Sequence, residues 1–248
     1  MERKDFLKNG AGLLGLAGLT PLLYECSKDH GTAAATTTTS GSDTTSTSSS
    51  GTSGCVVTPQ ETSGPYPYDL SADSAIYRTD ITEGKTGIPL SLTITVVNTN
   101  SDCAVVSGAR VDIWHCDKDG YYSEYDEPGY LGTQDNTGQT FLRGIQLTDT
   151  SGQVKFTTIY PGWYTGRVTH IHLEIYVNSV LKSTTQMAFP DSLNTTVYNT
   201  SLYSAHGQNT TTDATDSVFS DGYSNELVSI SGDTTNGYTA TFQVGVAL

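Results

Sequence analysis

The sequence predicts an all-β protein, an antiparallel β-sandwich with long loops that build a functional site. Apolar and polar residues alternate in several short segments, as in strands that bury one face. Turn signals such as Asp119-Gly120 and Asn236-Gly237 separate these segments. No long segment after residue 26 shows the 3.6-residue period of a helix. Short alternating strands joined by turns are typical of two packed antiparallel sheets.

The first 26 residues have the features of a bacterial export signal. Residues 2–8 are net basic, and an apolar run follows over residues 11–23. This run is shorter than the ~20 apolar residues that a bilayer span needs, but it fits the apolar part of a signal peptide. The residues ending at Cys26 resemble a relaxed bacterial lipobox, which predicts lipidation of Cys26. Cleavage of a plain secretory signal nearby is the alternative, and both predict an extracytoplasmic protein.

Residues 27–54 are predicted to form a flexible linker. From residue 31 onward they are almost wholly Gly, Ala, Ser and Thr, which cannot bury enough apolar surface to fold. Two dozen such residues reach roughly 25–30 Å as a coil. The linker would hold residues 55–248, about the size of one domain, away from a membrane surface.

The chain is strongly acidic. Its 248 residues include 26 Asp and Glu against 12 Lys and Arg, for a formal net charge of −14 at pH 7. This charge argues against a nucleic-acid partner, because phosphate binding needs basic surfaces. It suits a solvated extracytoplasmic protein.

Strands are predicted wherever the period-2 pattern is clear. The first covers residues 90–96, and others cover residues 111–113, 154–159 and 171–177. Alternating apolar residues from Tyr238 to the C-terminus predict a last strand. Residues 115–140 and 190–236 are rich in Gly, Asp and Tyr, and we expect them to be loops over one end of the sandwich.

One predicted strand begins with a metal-binding pattern. His170 and His172 share a face of that strand and lie roughly 6.5 Å apart, so both imidazoles can reach one metal ion. Tyr164 lies nearby in the sequence. Phenolate is a hard donor that suits ferric iron better than zinc or copper(I). The alternative is two solvent-facing histidines on an ordinary strand.

A second tyrosine candidate follows the predicted strand at residues 111–113. Residues 117–120 (Asp-Lys-Asp-Gly) predict a turn, after which Tyr121 and Tyr122 stand at the rim of the fold. The alternative is that both tyrosines only pack over the end of the strand.

Together these motifs resemble the intradiol ring-cleavage dioxygenases of the protocatechuate/catechol type. Those non-haem ferric enzymes open catechol rings between the two hydroxyls. The matching segments run in family order and cover most of residues 55–200. They are Thr-Pro-Gln-Glu-Thr-Ser-Gly-Pro-Tyr at 58–66, Val-Asp-Ile-Trp at 111–114 with Gly-Tyr-Tyr-Ser at 120–123, Phe-Leu-Arg-Gly at 141–144, Thr-Ile-Tyr-Pro-Gly-Trp-Tyr at 158–164, Arg-Val-Thr-His-Ile-His at 167–172 and Thr-Gln-Met-Ala-Phe-Pro at 185–190.

The resemblance implies one mononuclear non-haem Fe(III) site. Its ligands would be Tyr122, Tyr164, His170 and His172, where a Gly-x-Tyr spacing selects Tyr122 over Tyr121. The implied partners are a catechol-type substrate and O₂, and the product is a cis,cis-muconate-type diacid. Which catechol is cleaved and the oligomeric state stay open.

The resemblance also implies roles for residues around the metal. Arg167 would stabilise charge on the substrate ring, Gln186 would assist oxygen handling, and Tyr66 and Tyr68 would line the pocket. The family's usual Arg-Pro-x-His reads Arg-Val-Thr-His at residues 167–170. Without the proline this segment lacks a rigid φ, which predicts a looser loop before the histidines.

The secreted branch of the family tends to carry cysteines at the positions of Cys55 and Cys103. The resemblance therefore implies a disulfide between them, with Cys116 as a buried free thiol. Two other functions stay open. The chain could be a non-catalytic surface lipoprotein that binds through its loops, or an iron-binding homologue without turnover.

Overall fold

The computed structural model describes residues 55–248. The expected signal peptide, the lipid-bearing Cys26 and the linker of residues 27–54 lie outside the described residues. Within residues 55–248 the chain forms eleven strands, one α-helix and one short 3-10 helix. In chain order they are the 3-10 helix Ser74–Ile76, β1 Pro89–Asn98, β2 Ala104–Val105, β3 Arg110–Trp114, β4 Asp126–Gly129, β5 Gly132–Asp135, β6 Arg143–Leu147, β7 Gln153–Ile159, β8 His170–Val177, β9 Val180–Ala188, α1 Asp191–Tyr198, β10 Ser229–Asp233 and β11 Gly237–Val246.

The first sheet is built around β1. Strand β11 lies along one side of β1 and runs parallel to it, with Leu90 beside Tyr238. On the other side β7 pairs antiparallel with the first part of β1, and β2 pairs with its end. Strand β10 completes the sheet next to β11. The parallel β1–β11 pair differs from the all-antiparallel prediction, because alternation along a strand is the same whichever way its neighbour runs.

The second sheet has the order β6-β3-β8-β9 and is antiparallel throughout. Its register places Trp114 of β3 between Arg143 of β6 and His172 of β8. Gln186 of β9 pairs with His172 on the other side. This row of four residues crosses the sheet at the end where β8 begins. Strands β4 and β5 form a separate two-stranded hairpin.

The two larger sheets pack around one apolar core. Its centre consists of alternate residues of β1 and β8, each at most 1 % exposed: Leu90, Leu92, Ile94, Ile171, Leu173 and Ile175. Full burial of one such side chain contributes roughly 1.5–3 kcal/mol. The predicted all-β sandwich class is confirmed.

The two segments expected to be loops contain regular structure. Residues 115–140 include the β4–β5 hairpin, and residues 190–236 include α1 and β10. The helix α1 has eight residues, too few to display a clear period, and its Thr and Asn residues have modest helix propensity. Leu193 and Val197 of α1 pack against the core, so tertiary contacts stabilise it. Among residues 55–248, no helix is both long and apolar enough to cross a bilayer.

A disulfide joins Cys55 to Cys103, with Cα atoms 5.6 Å apart. It ties the start of the described chain to the turn between β1 and β2. The two cysteines are 48 residues apart in sequence, and for a loop of that length chain entropy alone gives a stabilisation of about 4 kcal/mol. Cys116 is free and buried.

Candidate metal centre and active site

The two histidines at the start of β8 converge. His170 and His172 are 2 % and 0 % exposed, on the face of β8 that points away from the sandwich core. Their Nε2 atoms lie 3.1 Å apart. The two imidazoles on this strand face therefore share one point, away from solvent.

The surroundings of each ring determine what it can bind. His170 Nδ1 donates to the carbonyl oxygen of Val168 at 2.6 Å, which places the proton on Nδ1 and leaves the Nε2 lone pair free. The His172 ring stacks on Trp114 with centroids 4.8 Å apart. Burial lowers the pKa of both histidines well below the usual value, and the Arg167 charge lowers it further for His170. Both rings are therefore neutral and available as donors at neutral pH.

Two tyrosines bring phenol oxygens to the same place. Tyr122 follows the turn after β3, and Tyr164 lies in the connection between β7 and β8. The Oη atom of each lies 3.5 Å from His170 Nε2. Tyr122 is fully buried, whereas Tyr164 is partly exposed. Four donors from three separate segments thus surround one point.

This donor set fits a single ferric ion. Ligand atoms about 2.1 Å from one ion lie roughly 3 to 3.6 Å apart, and the histidine and phenol contacts fall in that range. Burial raises the pKa of Tyr122 far above its usual value and that of Tyr164 to about 12, so both phenols need a bound cation to ionise. No group of three or more His, Cys, Asp and Glu that could hold a metal occurs within residues 55–248. Two phenolates with two imidazoles favour a hard trivalent ion such as Fe(III).

The turn after β3 decides which tyrosine enters the site. Gly120 N donates to Asp117 O at 3.0 Å, and Asp117 Oδ1 accepts the N–H groups of Asp119 and Tyr121. Tyr121 then donates its hydroxyl to Gly132 O at 2.8 Å, away from the histidines. The next residue, Tyr122, points into the site.

Arg167 and Gln186 lie beside the tyrosines and are 8 % and 0 % exposed. Arg167 Nη1 lies 3.4 Å from Tyr164 Oη, and Nη2 donates to Gln186 Oε1. Gln186 Nε2 in turn donates to Thr62 O at 2.8 Å. A guanidinium and an amide with fixed orientations therefore flank the phenol donors.

Comparison with known proteins shows which family the chain belongs to. A family model described as a dioxygenase matches residues 63–212, more than half of the chain. The solved structure of an intradiol ring-cleavage dioxygenase from Tetranychus urticae superposes with a TM-score of 0.69 at 28% identity, covering 78% of this chain and 95% of that chain. The chain belongs to the intradiol ring-cleavage dioxygenase family. This family is known for non-haem iron.

Two other members of the family show how far the likeness extends. The dioxygenase domain of a dioxygenase and carbohydrate-binding protein fusion from Streptomyces sp. SirexAA-E has a TM-score of 0.57 and 26% identity, covering 78% of this chain and 99% of that one. Catechol 1,2-dioxygenase 1 from Acinetobacter lwoffii is 28% identical over 52% of this chain. The chain spans only 45% of that relative's length.

The two tyrosines expected to line the substrate pocket differ in position. The Tyr66 ring stacks on Tyr122 at 4.4 Å between centroids and meets Tyr164 edge-on at 5.6 Å. Tyr68 is 50% exposed and lines a cavity of about 100 Å³, whose lining includes Trp114 but none of the four donors. In this intradiol dioxygenase fold, Tyr66 therefore borders the donor cluster and Tyr68 does not.

The contacts of three contributors to the site were not predicted from the sequence. Trp114 stacks on His172, Gly64 lies close to the Cε1 atom of the same ring, and Asp216 pairs with Arg167. Trp114 and Gly64 belong to segments that match the family, so their place in those motifs could have indicated that they lie near the site. Asp216 carries no motif and lies 49 residues from its partner.

The remaining histidines of the described chain do not join the cluster. His115 is buried, with Nδ1 2.8 Å from Cys116 O and Nε2 2.7 Å from Thr158 Oγ1. His206 is buried edge-on against Trp163, with ring centroids 4.2 Å apart. Both histidines are buried outside the donor cluster.

Proposed function

We propose that this protein is a non-haem Fe(III) dioxygenase that cleaves a catechol-type ring between its two hydroxyls. O₂ is the second substrate, and both of its atoms enter a cis,cis-muconate-type diacid. The observation that carries the proposal is the convergence on one point of two neutral imidazole nitrogens and two phenol oxygens, one of a buried and one of a partly exposed tyrosine. Such a set has no evident use in a module that only binds a polymer or partner.

Each of the four donors has a place in the reaction. Ferric iron bound by Tyr122, Tyr164, His170 and His172 would supply the Lewis acidity that ionises the phenols and makes a catechol reactive toward O₂. The fully buried Tyr122 has no route to solvent and stays a ligand. Tyr164 is partly exposed, and its Oη is the group we assign to accept a proton from a substrate hydroxyl.

Arg167 and Gln186 provide fixed polar groups next to the substrate. The Arg167 guanidinium would stabilise negative charge that develops on the ring, since its Nη1 already points at Tyr164 Oη. Gln186 is held between Arg167 and Thr62, which orients its amide for contact with an oxygen atom. The Tyr66 ring borders the space where an aromatic substrate would lie.

Metal analysis, colour and oxygen uptake together test the proposal. Iron-loaded protein should contain one iron per chain and show a broad visible tyrosinate-to-iron band that shifts when catechol is added. It should consume one O₂ per catechol cleaved. A colourless protein with one bound iron would contradict the ligand assignment, and protein that binds no iron would favour the surface binding lipoprotein. A coloured protein without oxygen uptake on a panel of catechols would be an iron-binding homologue without turnover.

We also propose that the protein acts outside the cytoplasm with a lipid on Cys26. The support is the N-terminal sequence alone, since these residues lie outside the described part of the chain. In a bacterial host, the full-length chain should fractionate with membranes, and Cys26→Ser should release it. If the unmutated protein is already released from the membrane, and Cys26→Ser behaves in the same way, a plain secretory signal is favoured.

A further inference from the structure

A buried carboxylate holds the arginine of the site from behind. The Asp216 side chain is fully buried, and its two oxygens lie 3.0 and 2.9 Å from Arg167 Nε. Asp216 also accepts the Val218 N–H at 2.9 Å, which fixes the carboxylate within its own loop. A second residue of that loop, Asn209, donates to Arg167 O at 2.8 Å. The loop therefore grips both the side chain and the backbone of Arg167.

The same carboxylate is connected to a histidine. Asp216 Oδ2 accepts the backbone N–H of Val168 at 2.7 Å. The carbonyl of Val168 in turn accepts His170 Nδ1–H at 2.6 Å. One peptide segment thus links Asp216 to the imidazole whose Nε2 lies at the centre of the donor cluster.

The hydrogen bond from Val168 explains how this chain does without a proline there. Proline has no N–H and could not donate to Asp216. The valine leaves φ free, but its N–H is bound to a carboxylate that is itself anchored, so the segment is held by a hydrogen bond to a charged acceptor. Such bonds contribute roughly 1.5–3 kcal/mol. The loop before the histidines is therefore tethered, contrary to the looser segment that the sequence predicts.

We infer that Asp216 is a positioning residue of the site, which aims Arg167 at Tyr164 and Gln186 and holds His170 through Val168. This inference rests on the proposed function. An ion pair that only stabilised the fold would affect stability alone. A positioning role predicts that loss of the carboxylate changes turnover and the iron spectrum in protein that stays folded. Without Asp216, Arg167 keeps its Nη contacts and its position over the Phe219 ring but loses the ion pair that holds Nε.

Asp216→Asn is the main test, because it preserves shape and removes the charge. Iron-loaded Asp216→Asn should keep one iron per chain, lose about 10- to 100-fold in kcat with KM changed less than about threefold, and show a shifted visible band. Val168→Pro removes one N–H and should release iron to a chelator at least about threefold faster. Asp213→Asn is the matched control, since Asp213 is a buried carboxyl of the same loop that neither donates to nor accepts from Arg167. It should keep the wild-type kcat and spectrum.

A readout without turnover separates this inference from the proposed function. In full-length protein loaded with gallium(III), a diamagnetic trivalent ion, the Val168 amide should exchange with solvent at least about tenfold faster in Asp216→Ala than in wild type or Asp213→Asn. The inference is wrong, and Asp216 is only structural, if two results are found together. Folded Asp216→Asn would show a lower melting temperature but an unchanged kcat and visible band, and Asp216→Ala would show unchanged exchange of the Val168 amide. If wild-type protein consumes no O₂ with any catechol, the proposed function fails, while Val168 exchange still decides whether Asp216 holds this segment.

Discussion

Gly64 lies directly against the ring of His172. A Cβ atom on Gly64 would stand 2.9 Å from His172 Cε1, a separation that real Cβ contacts essentially never show. Trp114 stacks on the same ring. The imidazole therefore has an indole stacked on it and a glycine backbone close to its Cε1 atom, with no space for a Cβ atom at residue 64.

Gly64→Ala should loosen the metal site more than it destabilises the fold. The added methyl pushes on His172, and the φ of +70° at Gly64 adds backbone strain. Gly84→Ala is the matched control, since Gly84 has φ +77° but nothing within 4 Å of its Cβ position. Each variant should lose about 1–2 kcal/mol of unfolding free energy from the left-handed backbone. Only Gly64→Ala should release iron to a chelator at least about tenfold faster, and equal release rates would contradict the steric argument.

Tyr164→Phe should lose turnover, whereas His172→Ala should lose the iron. Removal of the Tyr164 hydroxyl takes away the proposed proton acceptor but leaves three donors, so kcat should fall about 100-fold or more while most of the iron stays bound. His172→Ala removes a fully buried donor with no substitute nearby and should leave the protein largely iron-free. Metal content and oxygen uptake measured on folded protein distinguish the two. Full iron occupancy in His172→Ala would remove that residue from the ligand set.

The disulfide should be present in the purified protein and should stabilise it. Complete reduction should add about two mass units, and alkylation before reduction of the denatured chain should modify Cys116 but neither Cys55 nor Cys103. Cys103→Ser should lower the unfolding free energy by about 2–4 kcal/mol. The four-donor cluster does not contact this disulfide, so the iron spectrum should not change. Labelling of all three thiols without reductant would disprove the pairing.

Stability should fall between pH 5 and pH 8, and Glu226, whose pKa is raised to about 8, should contribute to this fall. This residue is fully buried, accepts one hydrogen bond from Thr185 Oγ1 at 3.0 Å, and has its Oε2 atom unpaired among the described residues. Burial, and then the Glu61 charge, raises the pKa of Glu226 to about 8. The unfolded chain loses this proton near pH 4.3. Between those values the folded state binds more protons, so the unfolding free energy decreases as pH rises and levels off above pH 8.

Glu226→Gln tests this directly, because glutamine cannot ionise. The variant should lose less stability than wild type between pH 5 and pH 8 in urea titrations. Asp126→Asn, at an exposed carboxylate of β4, is the control and should follow the wild-type curve. Parallel curves for all three proteins would show that Glu226 does not carry the effect.

Much of the fold was readable from the sequence because it depends on local pattern. The alternation along residues 90–96 and 171–177 predicted β1 and β8, since a strand needs only a period of two and one apolar face. The helix Asp191–Tyr198 was missed because its own residues barely favour a helix, and contacts of Leu193 and Val197 with the core stabilise it. The direction of β11 relative to β1 could not be predicted either, because the residue pattern of one strand does not show which way its neighbour runs.

The sequence alone determined which functional side chains are available: two histidines on one strand face, tyrosines in flanking loops, and an arginine three residues before the first histidine. Tertiary structure alone decided that these groups meet. Tyr122 reaches His170 across 48 residues, Gly64 abuts His172, and Asp216 holds Arg167. Such contacts depend on the register of β3, β8 and β9 and on how loops pack over the sheet. These are collective properties of the folded chain, because the free energy that places each loop comes from contacts distant in sequence.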